Sequence, residues 1–168
     1  YSPAKKGDDY LRFLIEELKP MVDATWRTEP RRTFIAGSSM GGLISFYAAW
    51  KHPEVFSGAA CLSPAFVERY GHECFRMVEA DGGKRPGLKL FLSCGGATGL
   101  EAELLDGTLK MANLLRSLGY PEKDLTVRIE SWAEHNEEAW SRMTPNWLRF
   151  LFGRPQIPEQ DPGTKRRK

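Results

Sequence analysis

The sequence predicts an α/β fold, a parallel β-sheet flanked by helices in three layers. Two observations carry this. Short apolar runs with strand character alternate along the chain with stretches whose apolar residues recur every three or four positions. Each strand–helix–strand step then implies a right-handed crossover, which builds a parallel sheet. A third observation sets the scale: 168 residues with 41% hydrophobic content suffice for one domain with a real core.

The elements follow in order. Over 8–23, Leu11, Leu14, Ile15, Leu18, Met21 and Val22 mark an amphipathic helix. Asp8 and Asp9 suit its positive N-terminal end, and Pro20 should kink or shorten it. Thr33-Phe34-Ile35-Ala36 is a short strand ended by Gly37. A helix follows over 41–52, with Leu43, Phe46, Tyr47 and Trp50 on one face and Pro53 as its stop. Residues 57–62 read as a strand of small residues, then Ser63-Pro64 and an irregular segment to about Gly87. Residues 88–92 form the next strand, and the glycine-rich stretch 95–99 a loop. Leu104, Leu105, Leu109, Ala112, Leu115 and Leu118 form a helical stripe closed by Gly119. Leu125, Val127 and Ile129 alternate with polar residues as a strand. A last helix runs from beyond His135 to Phe152, interrupted near Pro145. The folded unit is thus expected over 1–152. Residues 153–168, rich in proline and ending Lys165-Arg166-Arg167-Lys168, read as a flexible basic tail, a solvated end before a localisation signal or phosphate patch.

Composition excludes several classes. Twenty-four Lys and Arg against 22 Asp and Glu leave a net charge of +2, no basis for nucleic-acid binding. No apolar run approaches the roughly 20 residues of a membrane helix. Cys61, Cys74 and Cys94 sit in apolar contexts and read as buried thiols, with a Cys61–Cys94 pair on neighbouring strands the alternative. Buried thiols fit a reducing compartment, with the cytoplasm as the expectation. Cys61, Cys94 and His135 lack zinc-ligand spacing, and no metal or organic cofactor is implied.

The chemistry is concentrated at 34–43. Gly37-Ser38-Ser39-Met40-Gly41 matches G-x-S-x-G, with an apolar strand running in and an amphipathic helix running out. So tight a turn presents the serine side chain clear of the backbone, and glycine at 37 and 41 relieves its crowding. Ser39 is the expected nucleophile, and the Met40 N–H, at a helix N-terminus, an expected oxyanion donor. Ser38 has the wrong phase. A serine needs a base. His52 closes a helix and suits a capping role, while His72 reads as a surface residue. His135 follows the last strand, where this chain order puts the base. The acid should follow the 88–93 strand, where Glu101, Glu103 and Asp106 stand. Glu101, nearest the strand, is preferred. Specificity should depend on 64–86, on loop aromatics such as Phe66 and Trp132, and on whatever precedes Tyr1.

Gly-Ser-Ser-Met-Gly-Gly-Leu at 37–43, Pro53-Glu54-Val55-Phe56, Leu62-Ser63-Pro64, and His135-Asn136-Glu137 with Trp140 and Arg142 resemble the putative-esterase (esterase D-like) branch of the α/β-hydrolases, from about Tyr1 to Phe152. That branch includes enterochelin esterases, S-formylglutathione hydrolases, feruloyl and acetyl-xylan esterases, and mycolyltransferases. The resemblance implies an α/β-hydrolase-type sheet and a carboxylic ester hydrolase acting through an acyl-enzyme, with Ser39 and His135 carried over. A small-molecule or carbohydrate-linked ester would be the substrate. It also implies strands before the helix at Asp8 that are absent here, together with a second oxyanion donor from that portion. The first strand is then expected to have an open edge, a hazard for association. Two alternatives stand beside hydrolysis. One is a non-catalytic half-domain, a scaffold or binding module completed by an N-terminal segment or by a homo-oligomer. The other is acyl transfer to an alcohol or sugar.

Overall fold

A computed structural model describes residue 3, residues 5–96 and residues 98–153. The expected tail lies outside the described residues except for Gly153. The elements are α1 (Gly7–Arg12), a π-helical stretch Phe13–Leu18, α2 (Lys19–Thr25), β1 (Thr33–Ser38), α3 (Met40–Lys51), β2 (Phe56–Leu62), α4 (Glu68–Asp81), β3 (Lys89–Gly95), α5 (Gly99–Ser117), β4 (Leu125–Glu130) and α6 (Glu137–Phe152). The four strands form one parallel sheet in the order β1-β2-β3-β4.

Strand alternation divides the core in two. Ala59, Cys61, Leu90, Leu92 and Cys94 face one side and pack with Leu43, Phe46 and Trp50 of α3, Cys74 and Val78 of α4, and Met111 and Leu115 of α5. Ala60, Leu62 and Phe91 face the other and pack with Met143 and Leu151 of α6. Because the strands step one way across the sheet, crossovers of one hand place their three helices on one face. That leaves α6 to cover the other. Lys89 Nζ donates to the Phe150 carbonyl and an Arg32 guanidinium nitrogen to the Phe152 carbonyl, at 3.0 and 3.3 Å. Both cations thus sit at the negative end of α6.

Several expectations change. The helical path continues through Pro20. A π turn precedes it, with the Lys19 N–H donating to the Leu14 carbonyl, so that Pro20 falls in the first turn of α2, where no donor is required. The segment after Ser63-Pro64 is not irregular throughout. It contains α4, whose buried residues are Gly71, Cys74 and Val78, with His72 half-buried beside them. Phe66 is no free loop aromatic: it is buried and packs edge-on against Phe46, with ring centroids 5.1 Å apart. Gly95 ends β3 and Gly99 opens α5, so the glycine loop is shorter than expected. Pro145 does not interrupt α6. It lies on the exposed side, as does Ser141, four residues earlier. All three cysteines are free and buried. Burial pushes each thiol up, Cys94 to about 12. Among the described residues no helix is long and apolar enough to cross a membrane.

The turn from β1 into α3 is a single residue, Ser39. Ser39 has φ 55° and ψ −121°. Its N–H donates to the Leu62 carbonyl at 2.8 Å and its own carbonyl accepts from the Ala65 N–H at 3.1 Å, which ties the turn to the end of β2. A Cβ on Gly37 would stand 2.5 Å from the Gly41 carbonyl carbon and oxygen. A Cβ on Gly41 would meet nothing within 4 Å, contrary to the expected steric need there. It is the Gly41 backbone that crowds position 37. Gly37→Ala is therefore expected to lower stability by about 2–3 kcal/mol. Gly41→Ala should leave it unchanged or raise it by up to about 1 kcal/mol through helix propensity. Urea melts of the two variants check this contrast.

Candidate active site

The C-terminal ends of the parallel strands all deliver side chains to one place. Ser39 comes from the turn after β1, Ser63 from the residue after β2, Cys94 and Gly95 from the end of β3, and Glu101 from the first turn of α5. His135 stands between β4 and α6. The next residue, Asn136, caps α6 by accepting from the Ala139 N–H at 2.9 Å, which anchors the loop that carries the histidine.

Ser39, His135 and Glu101 lie in one hydrogen-bonded line. His135 Nε2 is 3.1 Å from Ser39 Oγ and its Nδ1 is 2.7 Å from Glu101 Oε1. The Glu101 side chain is 1% exposed, the His135 side chain 18%. Glu103 and Asp106, the other two candidate acids, are exposed, and Asp106 is 2.7 Å from Lys110 on the same helix. The imidazole therefore meets Glu101 and neither of the others. Met40 is the first residue of α3, so its N–H is one of the donors without an intrahelical acceptor, directly beside Ser39.

A buried carboxylate is costly unless its charge is met by hydrogen bonds. Burial acts to push Glu101 up. The Cys94 thiol at 3.1 Å, the Gly95 N–H, the Ser63 hydroxyl at 3.0 Å and His135 outweigh it, and hold the carboxyl below its ordinary range. The first three all converge on Oε2, which leaves Oε1 for the imidazole. Gly95 is required for this approach. A Cβ there would lie 2.2 Å from the Ala133 carbonyl oxygen and 2.6 Å from Glu101 Cγ.

Such a line can carry proton transfer. An imidazole that accepts from a hydroxyl on one side must hold its own hydrogen on the other, toward the carboxylate. A carboxylate kept ionised and hidden from water fixes that tautomer and stabilises the imidazolium when it forms. Among the described residues, no three of His, Cys, Asp and Glu come together as metal ligands.

Sequence reasoning did not single out the surroundings of Glu101. Ser63, Cys94, the Gly95 N–H and Trp140 all border it or His135. Ser63 and Trp140 stand within matched family text, Leu62-Ser63-Pro64 and the stretch after His135, and this was the available signal. Trp132 is 47% exposed beside Arg142, whose guanidinium lies 5.4 Å from the indole centroid.

The chain is 26% identical over 156 residues to the uncharacterized protein YbbA of Bacillus subtilis (strain 168), a match over 88% of this chain and 61% of that one. It thus spans about three fifths of the curated relative's length. An enterochelin esterase structure from Shigella flexneri superposes with a TM-score of 0.72 at 20% identity, over 85% of this chain and 37% of that one. A ferulic acid esterase gives 0.69 at 20% identity, over 84% and 60%. These likenesses show a shared fold. The family model described as Putative esterase matches residues 2–150, a stretch that takes in all four strands with Ser39, Glu101 and His135, and the chain belongs to that family.

Proposed function

We propose that the chain is a serine carboxylic ester hydrolase working through an acyl-enzyme. The supporting observation is the line Ser39 Oγ–His135 Nε2, His135 Nδ1–Glu101 Oε1, at 3.1 and 2.7 Å. Ser39 Oγ attacks the ester carbonyl carbon while His135 takes its proton. The carbonyl oxygen becomes an oxyanion that the Met40 N–H stabilises. The C–O bond to the alcohol then breaks, and His135 returns the proton to the leaving oxygen. Water, deprotonated by His135, attacks the Ser39 ester; the bond to Ser39 Oγ breaks, the acid is released and His135 returns the proton to Ser39 Oγ. Glu101 stays ionised throughout. A small ester or a carbohydrate-linked one fits this chemistry, and an alcohol in place of water would make the same intermediate an acyl donor.

A second reading rests on β1. The outer edge of β1 has no strand partner among the described residues. Beside it lies a groove of about 360 Å³ lined by Leu14, Val22, Phe34 and Ile35. In this reading the chain works only when further strands, from another segment or a second copy, complete the sheet, or serves as a scaffold without turnover. Solution mass measured together with ester turnover separates the two. An active monomer supports the first reading; turnover confined to an oligomer, or an oligomer without turnover, supports the second.

Ser39→Ala is expected to lower release of the alcohol from a short-chain aryl ester by about 10⁴-fold or more. A rate equal to that of the parent would overturn the proposal. Glu101→Gln is expected to lower kcat by about 10³- to 10⁴-fold, because an amide donating to Nδ1 forces the hydrogen onto Nε2, where it faces Ser39. The same variant tests linkage. The Glu101 carboxyl is held below its ordinary range in the folded state, so it contributes stability above the unfolded value of about 4.3 and loses it as pH falls through the folded value. The stability gap between parent and Glu101→Gln in urea melts should be widest at neutral pH. It should narrow below about pH 4.

A further inference from the structure

Ser63 takes no part in the proton path described above, yet the backbone is distorted to place it. Its φ is 43°, in the left-handed region that a non-glycine residue seldom occupies, and it is 3% exposed. Surroundings that hold a buried residue in this conformation must over-determine it. Its N–H donates to the Ser93 carbonyl at 2.7 Å, which locks it across the ends of β2 and β3. Its Oγ is 3.0 Å from Glu101 Oε2 and 3.1 Å from Trp140 Nε1.

Chemistry fixes the direction of both bonds. The indole N–H is a donor with no acceptor capacity, so Ser63 Oγ accepts from Trp140. The hydroxyl has one hydrogen, and an ionised carboxylate can only accept, so that hydrogen goes to Glu101. The chain therefore reads Trp140 N–H to Ser63 O–H to Glu101 Oε2, with one direction throughout. The Trp140 ring also meets the His135 ring at 84°, with centroids 5.0 Å apart. One side chain thus borders the imidazole directly and reaches its carboxylate partner through one hydroxyl.

We infer that Ser63 and Trp140 are a coupled pair of positioning residues for the Ser39 site, Trp140 orienting the Ser63 hydroxyl and Ser63 pinning Glu101 Oε2 so that Oε1 is aimed at His135 Nδ1; this rests on the roles proposed above for Ser39, His135 and Glu101. The Gly95 N–H and Cys94 hold Oε2 from β3, the strand that leads into Glu101's own helix. Ser63 holds it from the end of β2, and donors from two strands resist rotation of the carboxylate where donors from one would not. Neither Ser63 nor Trp140 is needed to touch the ester.

Two substitutions on the full chain test the pair. Ser63→Gly deletes the hydroxyl and suits the positive φ, so relief of the backbone offsets part of the stability lost with the two hydrogen bonds. Trp140→Phe deletes the N–H and keeps a ring against His135. Each is expected to lower kcat for a short-chain aryl ester by about 10-fold while KM stays within about twofold. The double variant should fall no further than the worse single one, because the N–H acts through the hydroxyl. In proton NMR, the His135 Nδ1–H resonance should move upfield or broaden in both variants and persist in Ser39→Ala. Parental kcat in Ser63→Gly, or losses that multiply in the double variant, would overturn the coupling. Should Ser63→Gly fail to fold, Trp140→Phe decides the matter through its kcat and its Nδ1–H signal. The NMR arm needs no turnover. An active Ser39→Ala would therefore overturn the proposed mechanism and leave the Ser63–Glu101–His135 geometry to be judged by its own signal.

Discussion

A negative charge buried at the end of a sheet is the constraint around which the site is built. Glu101 is held by a thiol, a backbone N–H, a hydroxyl and an imidazole. They come from β3, from the end of β2 and from the loop before α6. Leaving that charge unmet would cost several kcal/mol in so dry a place. Each of these elements is therefore bound in position by the same demand. Gly95 follows from it, since any side chain there would strike Glu101, and so does the close approach of the 131–136 loop to β3.

Parallel topology makes this economy possible. Every strand points the same way, so every strand-to-helix turn lies at one end of the sheet. The turn at Ser39, the kink at Ser63 and the first turn of α5 are neighbours for that reason alone. Two of the three are strained or sterically demanding, with positive φ at Ser39 and Ser63. Strain of this kind survives where neighbouring hydrogen bonds over-determine the backbone. Here Leu62 and Ser93 supply them from β2 and β3.

The strands and their parallel direction were legible because they depend on periodicity and on strands alternating with helices along the chain. Ser39 was legible because its turn leaves a glycine at 37 that the backbone requires, and His135 because it follows the last strand. Glu101 was chosen over its neighbours by nearness to the strand, which is a weak signal, since Glu103 and Asp106 share its helix and differ only in the direction they face. The α4 helix was not legible, because it buries little beyond a glycine, a cysteine and a valine beneath a charged outer face. Pro20 and Pro145 misled for one reason. Proline breaks a helix through a missing bond, and here a register change or solvent removes the cost. The polar neighbours of Glu101 were legible only as matched family text around Ser63 and Trp140, because a hydrogen-bond partner is a fact of tertiary structure and these two stand 77 residues apart.

That separation bears on how the molecule reaches its native state. Ser39 and His135 are 96 residues apart, and Glu101 and His135 34. Contacts of such long range join segments far apart in an unordered chain, so closing them carries a loop-closure cost. The helix that anchors His135 is also the C-terminal element of the described fold and covers the second face of the sheet. A partly unfolded chain that lacks this helix would keep the Ser39 turn and its Leu62 and Ala65 partners without His135 beside it. Under the proposed mechanism, Ser39 would have no base until that last layer docks, and turnover would be a property of the completed fold.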